Sequence, residues 1–225
     1  METNKHYLFL KIGALEHMQS LQKEGLVYCN PITYFLDREK DNGDGRIDVY
    51  ENVVEIIKPK TDHILLKPAK DENAVFKKLS VTSLELRKYI SEPAINLFCL
   101  YAFELPMNEP LGIPFKIPLP KIGGDTCLLI TNPQEFVNRI MSFLISKNLS
   151  YEYSFVKYIS YEQHTIKKDV FMKHERYADQ REFRFAINGK HNEPLSLSIG
   201  DISDISILYQ KSFLMNAEFK LDTNA

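Results

Sequence analysis

Apolar and polar positions along the chain change period several times, and the changes divide it into elements. Residues 6–11 (HYLFLK) predict a short strand. Leu15, Met18, Leu21 and Gln22 then recur at helical spacing, and Gly25 supplies the left-handed residue that ends many helices. Residues 26–30 (LVYCN) predict a second strand, stopped by Pro31, with a short turn or helix through Tyr34, Phe35 and Leu36. Strands are expected at 48–57 and 63–67 and a short helix at 71–78, while 79–91 fits strand or helix. Residues 95–105 (INLFCLYAFEL) form the most apolar run and read as a central strand.

Residues 106–120 hold five prolines and must be an irregular arm packed over the surface. A strand at 126–131 leads into a helix capped by Asn132 or Thr131, with Pro133 in its first turn. That helix runs to about Lys147 and places Phe136, Ile140, Phe143 and Leu144 on one face. A tyrosine-rich strand is expected at 151–159, then strands at 194–199 and 205–209 and a trailing tail. Within 171–187 the second half alternates strictly. Gln180, Glu182 and Arg184 fall on one side of an extended chain and Phe183, Phe185 and Ile187 on the other. Without regular βαβ alternation, the pattern predicts an α+β fold with a mainly antiparallel or mixed sheet, one domain over 1–225.

Composition narrows the class. Hydrophobic residues at 44% and charged residues at 26% suit a globular chain, and a net charge of −2 gives no global pull toward nucleic acid or anionic membrane. Locally, residues 157–190 carry eight Lys or Arg against five Asp or Glu, a mildly basic stretch around the alternating segment. The three cysteines are far apart in apolar runs, which predicts reduced thiols in a cytoplasmic protein. The N-terminus lacks a signal peptide's apolar core, and the longest apolar run, 97–103, is too short for a bilayer, so no membrane association is expected. With Lys40 as the first position, Asn42, Asp44, Gly45, Ile47 and Glu51 fall where a calcium loop wants them, but Lys40 stands where the first carboxylate belongs. It is read as a turn, and no metal is expected.

Signatures for phosphate loops, dinucleotide folds, nucleophile elbows and zinc proteases are absent. What remains is Gln180 and Glu182. An amide and a carboxylate two apart on a strand suit a reaction at a ribose carbon, where the carboxylate stabilises an oxocarbenium-like cation. As a bare pattern, Q-x-E is equally that of an ordinary solvent-facing strand.

Longer segments add context: LFLK, ALEHM and GLVYCNPITYF near the N-terminus, NLFCLYAF and GDTCLLITNPQEFVNR in the middle, and FMKHERYADQREFRF near the C-terminus. On these the chain resembles ADP-ribosyltransferase-like bacterial proteins. Its opening is similar to that of DarT-type nucleic-acid-modifying toxins and related uncharacterised families. The resemblance implies a split, bent sheet clasping NAD, with Glu182 as the catalytic carboxylate and Gln180 handling the acceptor. It also implies Lys11 as the basic residue of the first strand, with His6 less well placed. Tyr28 or Tyr34 would stack on nicotinamide beside Asn30, and Arg184 would pair with Glu182 or meet a phosphate. The implied function is mono-ADP-ribosyl transfer from NAD to a macromolecule, nucleic acid (RNA among them) before protein, in a toxin or phage-defence setting with an antitoxin protein as partner. Two other readings stand beside it. One is a non-catalytic nucleotide- or partner-binding module of the same fold. The other is a metal-dependent nuclease using Asp44, Asp48 and Glu182, with Arg184 in place of the usual Lys.

Overall fold

The computed structural model describes residues 5–37, 48, 50–59, 63–71, 73–81, 84–90, 94–107, 112–190 and 192–221. The chain opens with β1 (Tyr7–Gly13), α1 (Leu15–Glu24), β2 (Leu26–Pro31) and α2 (Tyr34–Asp37). Four short strands follow: β3 (Val53–Ile57), β4 (His63–Leu66), β5 (Lys77–Ser80) and β6 (Leu86–Tyr89). The long β7 (Ile95–Glu104) leads through the proline-rich arm to β8 (Thr126–Ile130) and α3 (Pro133–Ser146). Next come β9 (Tyr151–Phe155), β10 (Lys157–Ile159), β11 (Thr165–Lys167), β12 (Met172–His174) and a 3₁₀ helix, Glu175–Gln180. The chain closes with β13 (Glu182–Asn188), β14 (Leu195–Ser198), β15 (Ser206–Gln210) and α4 (Lys211–Asn216).

The fold is α+β, with few helices and mostly antiparallel pairing; β10 and β12 are parallel. The main sheet runs β14-β2-β7-β1-β8-β15, with β13 and then β9 branching from β7. Both halves of that branch follow from the register on β7. β13 covers one edge of β7 from Ile95 to Tyr101. The other edge meets β2 at Asn96 and Leu97 and β1 from Tyr101 to Glu104. Between them β1 and β2 diverge, leaving the Phe98–Leu100 backbone without a strand on that edge. Buried backbone groups need partners, and the Lys11 Nζ enters the gap to donate to the Cys99 carbonyl at 2.7 Å.

Strand alternation gives the sheet two buried faces. Phe9, Phe98, Leu100, Leu128, Phe183 and Phe185 point to one face, where α1 and α3 cover them. Burying each such side chain contributes about 1.5–3 kcal/mol. Leu10, Ile12, Tyr101, Phe103 and Leu129 point to the other, under the proline-rich arm and α4. The arm is tied down by buried Ile117, by the Tyr101 hydroxyl donating to the Pro118 carbonyl at 2.5 Å, and by Phe115 pairing with Phe219. That second face is apolar only in part. Beyond Tyr101, on β13, it carries Glu182 and Arg184.

The structure corrects several expected boundaries. The strand expected at 48–57 begins only at Val53, because the Asp48 carboxylate takes the Tyr50 N–H and Tyr50–Asn52 form a turn. Asp71 does the same to Asn73, and the helix expected at 71–78 is a turn leading into β5. The expected tail contains α4, whose Leu214 is fully buried against the second face. The strand expected at 151–159 breaks at buried Val156 into β9 and β10, and β11 arises from a stretch read only as polar. The calcium-loop residues Asn42, Asp44 and Gly45 lie outside the described residues. No helix of the described residues is long and apolar enough to cross a membrane. The thiols are free, with Cys29 and Cys127 buried and Cys99 half-buried.

Candidate functional site

Side chains directly opposite each other in an antiparallel pair share a face. Glu182 is therefore beside Tyr101 and Arg184 beside Cys99, on the face away from α3. Gln180 does not belong to the same strand. It ends the 3₁₀ helix, and Arg181 adopts a left-handed conformation (φ 39°) before β13 begins at Glu182. The expected Gln180–Glu182 alternation is thus replaced by a turn. The amide nevertheless reaches the same place from a different direction, because buried Lys173 on β12 draws both groups. Its Nζ donates to Gln180 Oε1 at 2.9 Å and to Glu182 Oε1 at 2.5 Å.

The guanidinium of Arg184, 1% exposed, holds the other oxygen. Its Nη2 and Nε donate to Glu182 Oε2 at 2.7 and 3.2 Å, and its Nη1 donates to Glu51 Oε1 and the Val170 carbonyl. Glu51, in the turn before β3, also lies 3.7 Å from the Lys173 ammonium. Asp48 and Lys168 adjoin this group, and the Lys168 Nζ donates to the Met172 carbonyl. Among the described residues every buried charged side chain belongs here: Asp48, Glu51 and Glu182 against Lys168, Lys173 and Arg184. Three negative charges meet three positive ones.

Burial by itself would raise the pKa of Glu182, but Lys173 and Arg184 outweigh it and hold the carboxyl at about 2. Burial likewise works against the charge on Lys173, yet Glu182 and Glu51 raise it above the ordinary lysine value. Lys168, with weaker compensation, is lowered by burial, and Asp48 is raised by burial and by Glu51. Glu182 is therefore a permanent anion near neutral pH. Such a weak base suits electrostatic stabilisation and not proton abstraction. An ionised carboxylate has about four acceptor sites, and three donors occupy them here, two on Oε2 and one on Oε1. Among the described residues Oε1 accepts one such bond where Oε2 accepts two. The Tyr158 hydroxyl accepts the Glu182 backbone N–H at 2.9 Å and fixes the strand end.

Glu182 lines a cavity of about 120 Å³ between β1, β2, α2, β7 and the residues Pro120 and Ile122 at the end of the arm. Seven of the residues singled out in the sequence line it: Lys11, Tyr28, Asn30, Tyr34, Gln180, Glu182 and Arg184. They play unequal parts in its geometry. Lys11 lies with its Nζ 4.4 Å from the Phe98 ring centre while bonded to the Cys99 carbonyl. Tyr28 and Asn30 share the cavity face of β2, and Tyr28 is 49% exposed at the mouth. Tyr34 meets Phe35 edge-on at 5.5 Å. His6 is elsewhere, on a separate groove. Cys99 also lines the cavity, but burial pushes its thiol up to about 11, so it is no nucleophile at neutral pH.

No family model, curated protein or solved structure matches the chain.

Lys173, Lys168 and Tyr158 were not singled out from the sequence, and Glu51 and Asp48 only as metal ligands, in the calcium-loop and nuclease readings. Lys173 sits in MKH and Glu51 in YEN, neither of which carries a chemical signature. Asp44 of the nuclease reading lies outside the described residues. Among the described residues no three His, Cys, Asp or Glu converge as metal ligands.

Proposed function

We propose that the protein is an NAD-dependent mono-ADP-ribosyltransferase acting on a macromolecule, in which Glu182 stabilises the reacting ribose. One observation carries this reading: a permanently ionised carboxylate lines a cavity on the scale of a single aromatic ring. A cavity of about 150 Å³ accommodates benzene, so about 120 Å³ is on the scale of one aromatic ring and far below that of a whole dinucleotide. The rest of NAD would lie along the open mouth, past Tyr28, Tyr34 and Lys11.

In this reading the ring enters the cavity and its ribose hydroxyl donates to Glu182 Oε1. The glycosidic C–N bond breaks, its electron pair leaves with nicotinamide, and positive charge develops on the ribose. Glu182, fixed by Lys173 and Arg184, needs no reorganisation to meet that charge. An acceptor N–H or O–H then forms the new bond to the ribose carbon and releases its proton to solvent. Gln180, held through Lys173, orients the acceptor. A clasp of the nicotinamide between diverging strands, as in ADP-ribosyltransferase-like folds, accords with the parting of β1 and β2.

A second reading is favoured by the same network. Glu182 is held by two cations, and buried ion networks also occur without catalysis. A nucleotide-binding module would keep the cavity and consume no NAD. Incubation with NAD labelled on nicotinamide separates the two. The transferase releases labelled nicotinamide, and Glu182→Gln, checked for folding by circular dichroism, releases none. Equal release by that variant, or binding of NAD by the unaltered chain without release, overturns the transferase reading.

A further inference from the structure

Among the described residues the main sheet ends at three strands, β14, β15 and β9, and their outward backbones are treated differently. β14 is led by Pro194, which has no N–H to offer. On β15 the outward carbonyl of Ser206 is occupied by the Gln22 side chain of α1, which donates to it at 3.1 Å. β9 pairs with β13 alone, and its ladder fixes which groups point out. The Val156 N–H donates to the Glu182 carbonyl and the Asn188 N–H to the Ser150 carbonyl, each at 2.9 Å. The even residues of β9 thus bond to β13. The N–H and C=O groups of Tyr151, Tyr153 and Phe155 point to the open rim, where no described strand meets them. The same three side chains share one face, opposite Ile187, Phe185 and Phe183. Tyr153 is 41% and Phe155 39% exposed, and Tyr151 stacks on Tyr153 at 6.5 Å. Beside them runs an open groove with a largely apolar wall, including Leu8, Leu105, Pro133 and Val137. Edge strands are commonly blunted by lysine or proline; β9 (YEYSF) holds neither.

We propose that β9 pairs antiparallel with β9 of a second copy, about a twofold axis at Tyr153, so that one sheet runs through a dimer. The occupant follows from the order of residues in the strand. With Tyr153 opposite Tyr153 of the second copy, Tyr151 falls opposite Phe155 and Phe155 opposite Tyr151. All three outward residues then meet outward residues, and each pair exchanges two backbone hydrogen bonds. An axis at Glu152 or Ser154 would instead present groups already bonded to β13. The axis stands normal to the sheet, so the rings of both copies share one face and lie directly opposite each other, a favourable arrangement for aromatic pairs. On the reverse face Glu152 meets the Ser154 hydroxyl in both directions and not a second Glu152, so no like charges are directly opposed. The contact uses the same patch on both copies and closes after two. A foreign strand would meet the same backbone, but β9 itself already supplies the facing rings and the neutral partner for Glu152. This pairing does not rest on the transferase reading.

Sedimentation velocity of the full chain at rising concentration should show a monomer–dimer equilibrium. Tyr153→Lys sets two ammonium groups opposite each other and should weaken the dimer about tenfold. Tyr153→Glu should do the same, and an equimolar mixture of the two variants should recover association, because position 153 then carries opposite charges. Cross-linking reads the register. Tyr153→Cys should form a disulfide-linked dimer under mild oxidant, since opposite Cα atoms in such a pair are about 5.5 Å apart. Tyr151→Cys alone should not, whereas Tyr151→Cys mixed with Phe155→Cys should. The native thiols are buried or half-buried, and the unaltered chain oxidised in parallel supplies the background. Circular dichroism identifies any charged variant that fails to fold, in which case the cysteine variants decide. A monomer at every concentration overturns the proposal. So does a dimer that folded Tyr153→Lys leaves intact, a mixture no tighter than its components, or linkage by Tyr151→Cys as fast as by Tyr153→Cys. A monomer that binds an added Val-Thr repeat peptide would assign the rim to a foreign strand and overturn it as well. If the dimer forms but no NAD is consumed, the pairing stands and only the transferase reading falls.

Discussion

Arg184, 1% exposed, directs its donors at two carboxylates, and this sets the outcome of substitutions around it. Removing one member of a buried ion pair leaves an uncompensated charge, at about 3–5 kcal/mol. Arg184→Leu should therefore cost the fold about that much in urea unfolding, and Arg184→Lys should recover only part of it, because an ammonium lacks the planar fork that bonds Glu182 through Nε and Nη2 and Glu51 through Nη1. The Gln180–Glu182 pattern, read as a strand facing solvent or a cleft, suggests that Glu182→Gln would leave folding untouched. The geometry says otherwise: Lys173 and Arg184 lose the anion between them. Glu182→Gln should lower stability measurably, and a variant as stable as the parent in urea would show that the network contributes nothing. Sequence showed that Glu182 and Arg184 share a face. It did not show that Lys173 and Glu51 complete the set, because β12 and the turn before β3 are far apart in sequence and only the packed fold brings them together.

Elements with local causes were legible, and their boundaries are testable. Gly25 ends α1 in the left-handed region at φ 61°, and a Cβ there would lie 2.1 Å from the Gly200 carbonyl oxygen. Gly25→Ala should cost more than about 2 kcal/mol, from strain and from the displaced backbone together. A thermal midpoint within a degree of the parent would contradict this. Asn132 caps α3 by accepting the Glu135 N–H at 3.1 Å, so Asn132→Ala should cost about 1 kcal/mol. Both residues were evident beforehand, since caps act over three or four positions. The start of β13 was not. Alternation continues through Gln180 in the sequence, but the 3₁₀ helix turns that residue back over Lys173. A period of two cannot reveal a backbone that leaves the strand to satisfy a buried ammonium.

Across the whole molecule, the buried charges should be visible in its acid response. The carboxyl of Glu182 is about 2 when folded against an ordinary value of 4.5. Protons therefore bind the unfolded chain first as pH falls, and the stability present above 4.5 is lost between about 4.5 and about 2. The loss should be on the order of 3 kcal/mol, with Asp48, raised by burial, working partly against it. Chemical unfolding at a series of pH values should show the decline in the parent and a flatter profile in Glu182→Gln. Equal slopes would remove Glu182 as the cause.

By itself the sequence determined the α+β class, the central strand β7, the amphipathic face of α3 and the pairing of Phe183, Phe185 and Ile187 with the core. These follow from periodicity, which is a property of neighbours along the chain. Only the tertiary structure decided that β1 and β2 part at Phe98–Leu100, that the proline-rich arm forms one wall of a ring-sized cavity, and that three cations meet three carboxylates behind it. Those features depend on register and on charge balance between segments far apart in sequence. No local pattern records either.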